Sequence, residues 1–126
     1  MKFVTDTHSF LWYLQDHPRL GDSCKRLFDR ASGDGQIIIP AIVLAELLYI
    51  SRKKTLPLAF DKIMNFLERE KRFSTFPLTG DVIQKAIPFK SLEMHDALIV
   101  ATALHLDLPL MTQDGEIQEA KVVRIL

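Results

Sequence analysis

"IIIPAIVLAELLYI", residues 37–50, changes backbone regime within one apolar run. Ile37, Ile38 and Ile39 are β-branched and carry no alternating polar residue, which predicts a strand buried on both faces. Pro40 then suits the first turn of a helix, where its missing N–H costs nothing. That helix is expected to run to about Ser51 and to end in "SRKKT". A doubly buried strand that feeds directly into a helix is the repeating unit of a parallel α/β sheet. The run holds a single charge, Glu46, with no cation beside it in the sequence.

The same alternation extends in both directions. "KFVT" (2–5) is a short β-type run, and "THSFLWYLQD" (7–16) follows it with Phe10, Leu11 and Leu14 at helical spacing. "GDSCKRLFDRASGDG" (21–35) reads as a second helix, with Asp22 or Ser23 as N-cap and Gly33 and Gly35 as stop signals. Downstream, "LPLAFDKIMNFLEREKR" (56–72) is amphipathic, with Phe60, Ile63, Met64 and Leu67 on one side. "FSTFPL" (73–78) predicts a third strand and "TGDVIQKAIPF" (79–89) a short helix. "MHDALIVATALHL" (94–106) is apolar almost all round, hence a buried helix. "PLMT" (109–112) and "KVVRIL" (121–126) predict two last strands. The expected fold is α/β: a three-layer α/β/α sandwich around a central parallel sheet, in one domain spanning 1–126.

Bulk properties narrow the class. The chain of 126 residues is 48% hydrophobic and 25% charged, which fits a globular protein with a real core. Its formal net charge is zero, so no global basic field advertises a nucleic-acid partner. Cys24 is the only cysteine, which excludes an intramolecular disulfide and a Cys-rich metal knuckle. The start lacks the apolar core of a secretory signal, and residues 37–50 are too short to span a bilayer. The expectation is a cytoplasmic protein with no membrane partner.

In open α/β sheets, ligands bind beyond the carboxyl ends of the strands. Four acids fall there. Asp6 follows the first strand, Glu46 lies on the helix after the second, Asp96 opens the buried helix, and Asp114 follows "PLMT". The helical neighbours of Glu46 are Ile42, Val43, Tyr49 and Ile50; those of Asp96 are Leu92, Glu93, Ile99 and Val100. Neither set contains Lys or Arg. Unpaired buried carboxylates cost several kcal/mol or take up protons, and a divalent cation removes that cost. A set of carboxylate oxygens is what Mg²⁺ or Mn²⁺ prefers. Three of the acids also have an ordinary role open to them: Asp6 as an N-cap, Asp96 as an N-cap or first-turn acid, and Asp114 as a turn residue; Glu46, a lone acid inside an apolar helix, is the hardest to explain that way.

Four segments in order, "FVTDTHSFLWYL", "IPAIVLAELLYI", "MHDALIVATAL" and "LPLMTQDGEI", resemble the PIN domain, and within it the small VapC-like toxins of toxin–antitoxin pairs. The resemblance implies a ribonuclease that uses Mg²⁺ or Mn²⁺. It maps the family's metal-binding and catalytic acids onto Asp6, Glu46, Asp96 and Asp114. It matches Thr112 to a Thr or Ser often found two residues before the fourth acid. It further implies a homodimer and a cognate antitoxin whose tail fills the acidic groove, often with a basic side chain.

An acidic site repels an RNA backbone, so flanking cations are expected to help. Arg52, Lys53 and Lys54 end the Glu46 helix, and Arg69, Lys71 and Arg72 follow further on; such runs are also ordinary solvated helix ends. His8 and His95 sit beside two of the acids and fit either a phosphate contact or a local hydrogen bond. Phe10, Trp12 and Tyr13 fit base stacking or, at helical spacing, a core or dimer face. Two other classes remain open. A phosphoryl-accepting receiver module also collects acids around Mg²⁺, but it resembles paired acids after the first strand, an acceptor Asp at the central strand and a Lys after the last strand. Here Asp6 stands alone and "FSTFPLTG" offers no acid before Asp81. A PIN-like domain that binds without cutting is the third class.

Overall fold

The structure, a computed structural model, describes residues 1–53 and 58–126. Lys54 and the first residues of the 56–72 stretch lie outside the described residues. Strand β1 (Phe3–Thr5) leads into α1 (Thr7–Leu14), a 3₁₀ turn (Pro18–Leu20) and α2 (Asp22–Arg30). Strand β2 (Ile37–Pro40) leads into α3 (Ala41–Arg52) and α4 (Phe60–Arg69). Strand β3 (Phe73–Phe76) leads into α5 (Gly80–Ala86) and α6 (Met94–Leu106), and β4 (Leu110–Met111) into α7 (Gly115–Ala120).

The four strands form one parallel sheet in the order β3-β2-β1-β4. Phe3 pairs with Ile37, Val4 with Leu110, and Ile38 with Ser74. The chain steps from β1 to β2 to β3 in one direction, then returns past β1 to place β4. Parallel crossovers are right-handed, so connections running in opposite directions lay their helices on opposite faces of the sheet. The result is the α/β/α sandwich that the alternating pattern predicts. The reversal also opens a crevice at the carboxyl ends of β1 and β4, the usual ligand position in such sheets.

Burial explains the apolar strands. Ile37 and Ile39 are fully buried and Ile38 nearly so, and burying each contributes roughly 1.5–3 kcal/mol. The aromatic residues of α1 turn mainly inward. Phe10 is fully buried 5.6 Å from the Phe73 ring, and Tyr13 stacks on Phe28 at 4.4 Å. Phe10 is a core residue; Tyr13 and Trp12 are half-buried against the core, Trp12 between His8 and His17. In α6 every residue from Ala97 to Ala103 is buried, as its almost wholly apolar sequence predicts; Thr102, the one polar residue of the stretch, donates to the Leu98 carbonyl at 2.8 Å.

Two local expectations are corrected. "KVVRIL" does not form a regular strand: Ile125 makes one isolated parallel bridge to Leu110. Lys121 adopts a left-handed conformation (φ 53°) at the end of α7, so the chain turns and meets β4 only at its last residues. The N-cap of α2 is Gly21, not Asp22 or Ser23; Asp22 instead sits in the first turn, where its charge favours the helix N-terminus. Among the described residues, no helix is long and apolar enough to cross a membrane.

Candidate active site

Asp6 leaves the end of β1 and caps α1. Its Oδ1 accepts a hydrogen bond from the Ser9 backbone N–H at 2.9 Å, so its capping role is real. Its Oδ2 does something else. It accepts from the Thr112 hydroxyl at 2.5 Å, from the far side of the crevice. Asp6 is 5% exposed, and burial raises its pKa; the hydrogen bonds from Thr112 and Ser9 and the nearby His8 oppose that rise.

Asp114 arrives at the same place from β4. Its side chain caps α7 by accepting from the Ile117 N–H at 3.0 Å, while its own N–H donates to Thr112 Oγ1 at 3.0 Å. Thr112, fully buried, is thus the bridge between the two acids.

Glu46 reaches the crevice from α3. Its Oε1 accepts from the Thr7 hydroxyl at 2.6 Å, and its Oε2 lies 3.8 Å from His95 Nδ1. Asp96, in the first turn of α6, is half-buried. Its pKa is pushed up to about 6, first by burial and then by the charges of Asp114, Glu93, Glu46 and Asp6. That list of neighbours places Asp6, Glu46 and Asp114 within electrostatic reach of Asp96. Their capping roles and their convergence are not alternatives; Asp6 and Asp114 do both.

The structure adds one acid and one correction. Glu93, the N-cap of α6, accepts from the His95 N–H at 3.0 Å and belongs to the same negative patch. Its position directly before an apolar helical run was the available cap signal. The correction concerns Glu46, which has no cation among its helical neighbours but does have His95 nearby. His95 Nδ1 stands closer to Glu93, at 2.9 Å, and comes from α6, which i±3 and i±4 spacing cannot reveal. Among the described residues, no Lys or Arg forms an ion pair with Asp6, Glu46, Asp96 or Asp114.

This donor set fits a hard divalent cation. It offers carboxylate oxygens and a hydroxyl, and no thiolate. Among the described residues, no three His, Cys, Asp or Glu side chains close into a ligating shell.

The flanking cations divide. Arg52 and Lys53 are exposed at the end of α3, six and seven residues beyond Glu46, or roughly 9–10 Å along the helix axis. Lys53 Nζ lies 4.3 Å over the Tyr49 ring. Arg69 and Lys71 are exposed as well. Arg72 is committed to the fold: its guanidinium donates to the Phe28 carbonyl and to Tyr13 Oη, and stacks on Phe73. Beside the acids runs a cleft of about 630 Å³ lined by Ala45, Glu46, Tyr49, Ile50, Glu93 and His95.

The PIN-domain family profile matches residues 3–123. No curated protein sequence matches the chain. Among solved structures, the fold resembles VapBC2 from Rickettsia felis, bound to a DNA fragment from its promoter, with a TM-score of 0.76, 21% identity and coverage of 100% of this chain and 97% of that one. DNA-bound VapBC from Salmonella typhimurium gives a TM-score of 0.76, 17% identity and coverage of 100% and 97%. VapC20 from Mycobacterium tuberculosis, described as a toxin that cleaves the sarcin–ricin loop, gives 0.68, 18% identity and coverage of 98% of each chain.

Proposed function

The chain belongs to the PIN-domain family, and from that premise we propose that it is a metal-dependent endoribonuclease, the toxin of a toxin–antitoxin pair. The observation that carries this reading is that Asp6, Glu46 and Asp114 all lie within electrostatic reach of Asp96 at the crevice, with no Lys or Arg paired to any of the four among the described residues. A divalent cation held there supplies water activation and compensation of phosphoryl charge during hydrolysis of an RNA phosphodiester.

The side chains have separable tasks. Asp6 and Asp114, tied together through Thr112, hold the crevice side of the site. Glu46 and Asp96 close it from α3 and α6. Asp96, half-buried in the first turn of α6, is placed to steer the proton of the attacking water. Arg52, Lys53 and Lys54 offset the repulsion between the acids and the RNA backbone.

The partners follow from the same surfaces. A groove so rich in acids suits an antitoxin segment that inserts a basic side chain. The neighbours solved as VapBC complexes support such a partner. Exposed apolar side chains on α3 (Tyr49, 60%), α5 (Ile87, 65%) and the start of α6 (Met94, 66%) suit self-association as a homodimer. A cytoplasmic location and one functional domain over 1–126 complete the reading.

The test is cleavage of a mixed RNA pool by the purified chain with Mn²⁺, with EDTA, and with Asp96→Asn. Cleavage only by the wild type with Mn²⁺ is expected. Full cleavage by Asp96→Asn or in EDTA rejects the assignment.

A further inference from the structure

We propose that Thr7 is a positioning residue that orients the Glu46 carboxylate for cation binding; the inference rests on the metal-dependent reading above. Thr7 is the first residue of α1, directly after Asp6, and is 2% exposed. Its hydroxyl has one proton to give, and gives it to Glu46 Oε1 at 2.6 Å, across 39 residues of sequence. A hydroxyl in a first helical turn is not needed by the helix itself, whose leading N–H groups seek acceptors. Here Asp6 already supplies one of those acceptors.

Glu46 needs such a guide more than the other acids. Asp6 and Asp114 are held by short side chains at the strand ends beside the crevice, each also engaged as a cap. Glu46 rises from α3, which follows β2 one strand away, and must reach inward over three rotatable bonds. Ordering a long glutamate side chain costs rotamer entropy. The Thr7 bond offsets that cost and fixes which oxygen is occupied. Oε1 is engaged; Oε2 lies 3.8 Å from His95 Nδ1, beyond hydrogen-bond distance, and keeps its lone pairs for a cation or its waters. With the hydroxyl removed, Oε1 loses its donor and the Glu46 side chain is free to leave that rotamer. One dipeptide, Asp6–Thr7, therefore sets two of the four acids.

The experiment measures Mn²⁺ affinity by titration calorimetry, with metal-free melting temperature and the kcat and KM for RNA cleavage alongside. The proteins are wild type, Thr7→Val, Thr7→Ser, Glu46→Gln and the Thr7→Val/Glu46→Gln double variant. Thr7→Val is expected to bind Mn²⁺ about tenfold more weakly, the lower end of what outer ligand partners contribute. The loss should fall on kcat at fixed Mn²⁺ and not on KM. Thr7→Ser keeps the donor and should stay near wild type. In the Glu46→Gln background, Thr7→Val should cost no further affinity, because it acts through Glu46. If Thr7→Val melts below the assay temperature, Thr7→Ala is read in its place. Wild-type Mn²⁺ affinity in the donor-free variant, or independent losses in the double variant, overturns the inference alone. A wild-type protein that binds no Mn²⁺ overturns the metal reading and this inference with it.

Discussion

The Thr112 hydroxyl donates to Asp6 Oδ2 at 2.5 Å across 106 residues of sequence, and so joins the end of the last strand to the end of the first. The same oxygen accepts the Asp114 N–H. One fully buried hydroxyl thus spans the crevice where the strand order reverses, and anchors an acid on each side.

Thr112→Val should therefore damage both fold and site. It leaves a buried carboxylate oxygen and a backbone N–H without their partner, a loss of about 1–3 kcal/mol. Cleavage should fall even at temperatures where the variant stays folded. Thr112→Ser should recover most of both. Urea denaturation and cleavage assays on the two variants check this.

Removing charge at the site should stabilise the metal-free protein. The Asp96 carboxyl titrates near 6 in the fold against an ordinary 3.8, so the folded state binds more protons between those values. Stability then falls as pH rises through that window, and the penalty is fully present at neutral pH. The buried Asp6, also raised, acts in the same direction. Asp96→Asn should flatten this slope and raise metal-free stability at neutral pH by on the order of 1 kcal/mol, after discounting for its half-exposed position. Melting scans in EDTA from pH 4 to 8 measure it.

Metal should reverse that penalty. Mn²⁺ at about a hundred times its dissociation constant should stabilise the wild type by about 2.7 kcal/mol and Asp6→Asn by much less. EDTA should abolish both the stabilisation and RNA cleavage. Equal melting temperatures with and without Mn²⁺ would contradict a cation at these acids.

Arg72 and Lys53 should behave oppositely, although both are cations just past the end of a helix. Arg72→Met removes donors to the Phe28 carbonyl and Tyr13 Oη, and should cost about 2 kcal/mol of stability with little effect on RNA affinity. Lys53→Gln should leave stability nearly unchanged. It should weaken RNA binding and reduce the slope of log affinity against log salt by roughly 0.7, the value for one phosphate contact on a single strand. Salt-dependent binding to a catalytically dead variant separates the two.

Much of this protein is legible in its sequence because the governing physics is local. Three β-branched residues before Pro40 set a buried strand and a helix start. The stretch from Ala97 to Ala103, apolar but for Thr102, sets a buried helix. A lone Glu46 among Ile, Val, Leu and Tyr marks a charge that must find a partner elsewhere. The segment 121–126 misled because its β-branched residues satisfy a strand pattern, while the turn at Lys121 delivers only its end to β4. What surrounds the acids could be decided only by the tertiary structure. Thr7 reaches Glu46, Thr112 reaches Asp6, and His95 and Glu93 flank the groove through contacts between separate elements. Periodicity reports which face of an element is buried, but not which hydroxyl lies across the gap. That depends on strand order, and the return of β4 to the open side of β1 brings residues 6 and 112 within a hydrogen bond of each other.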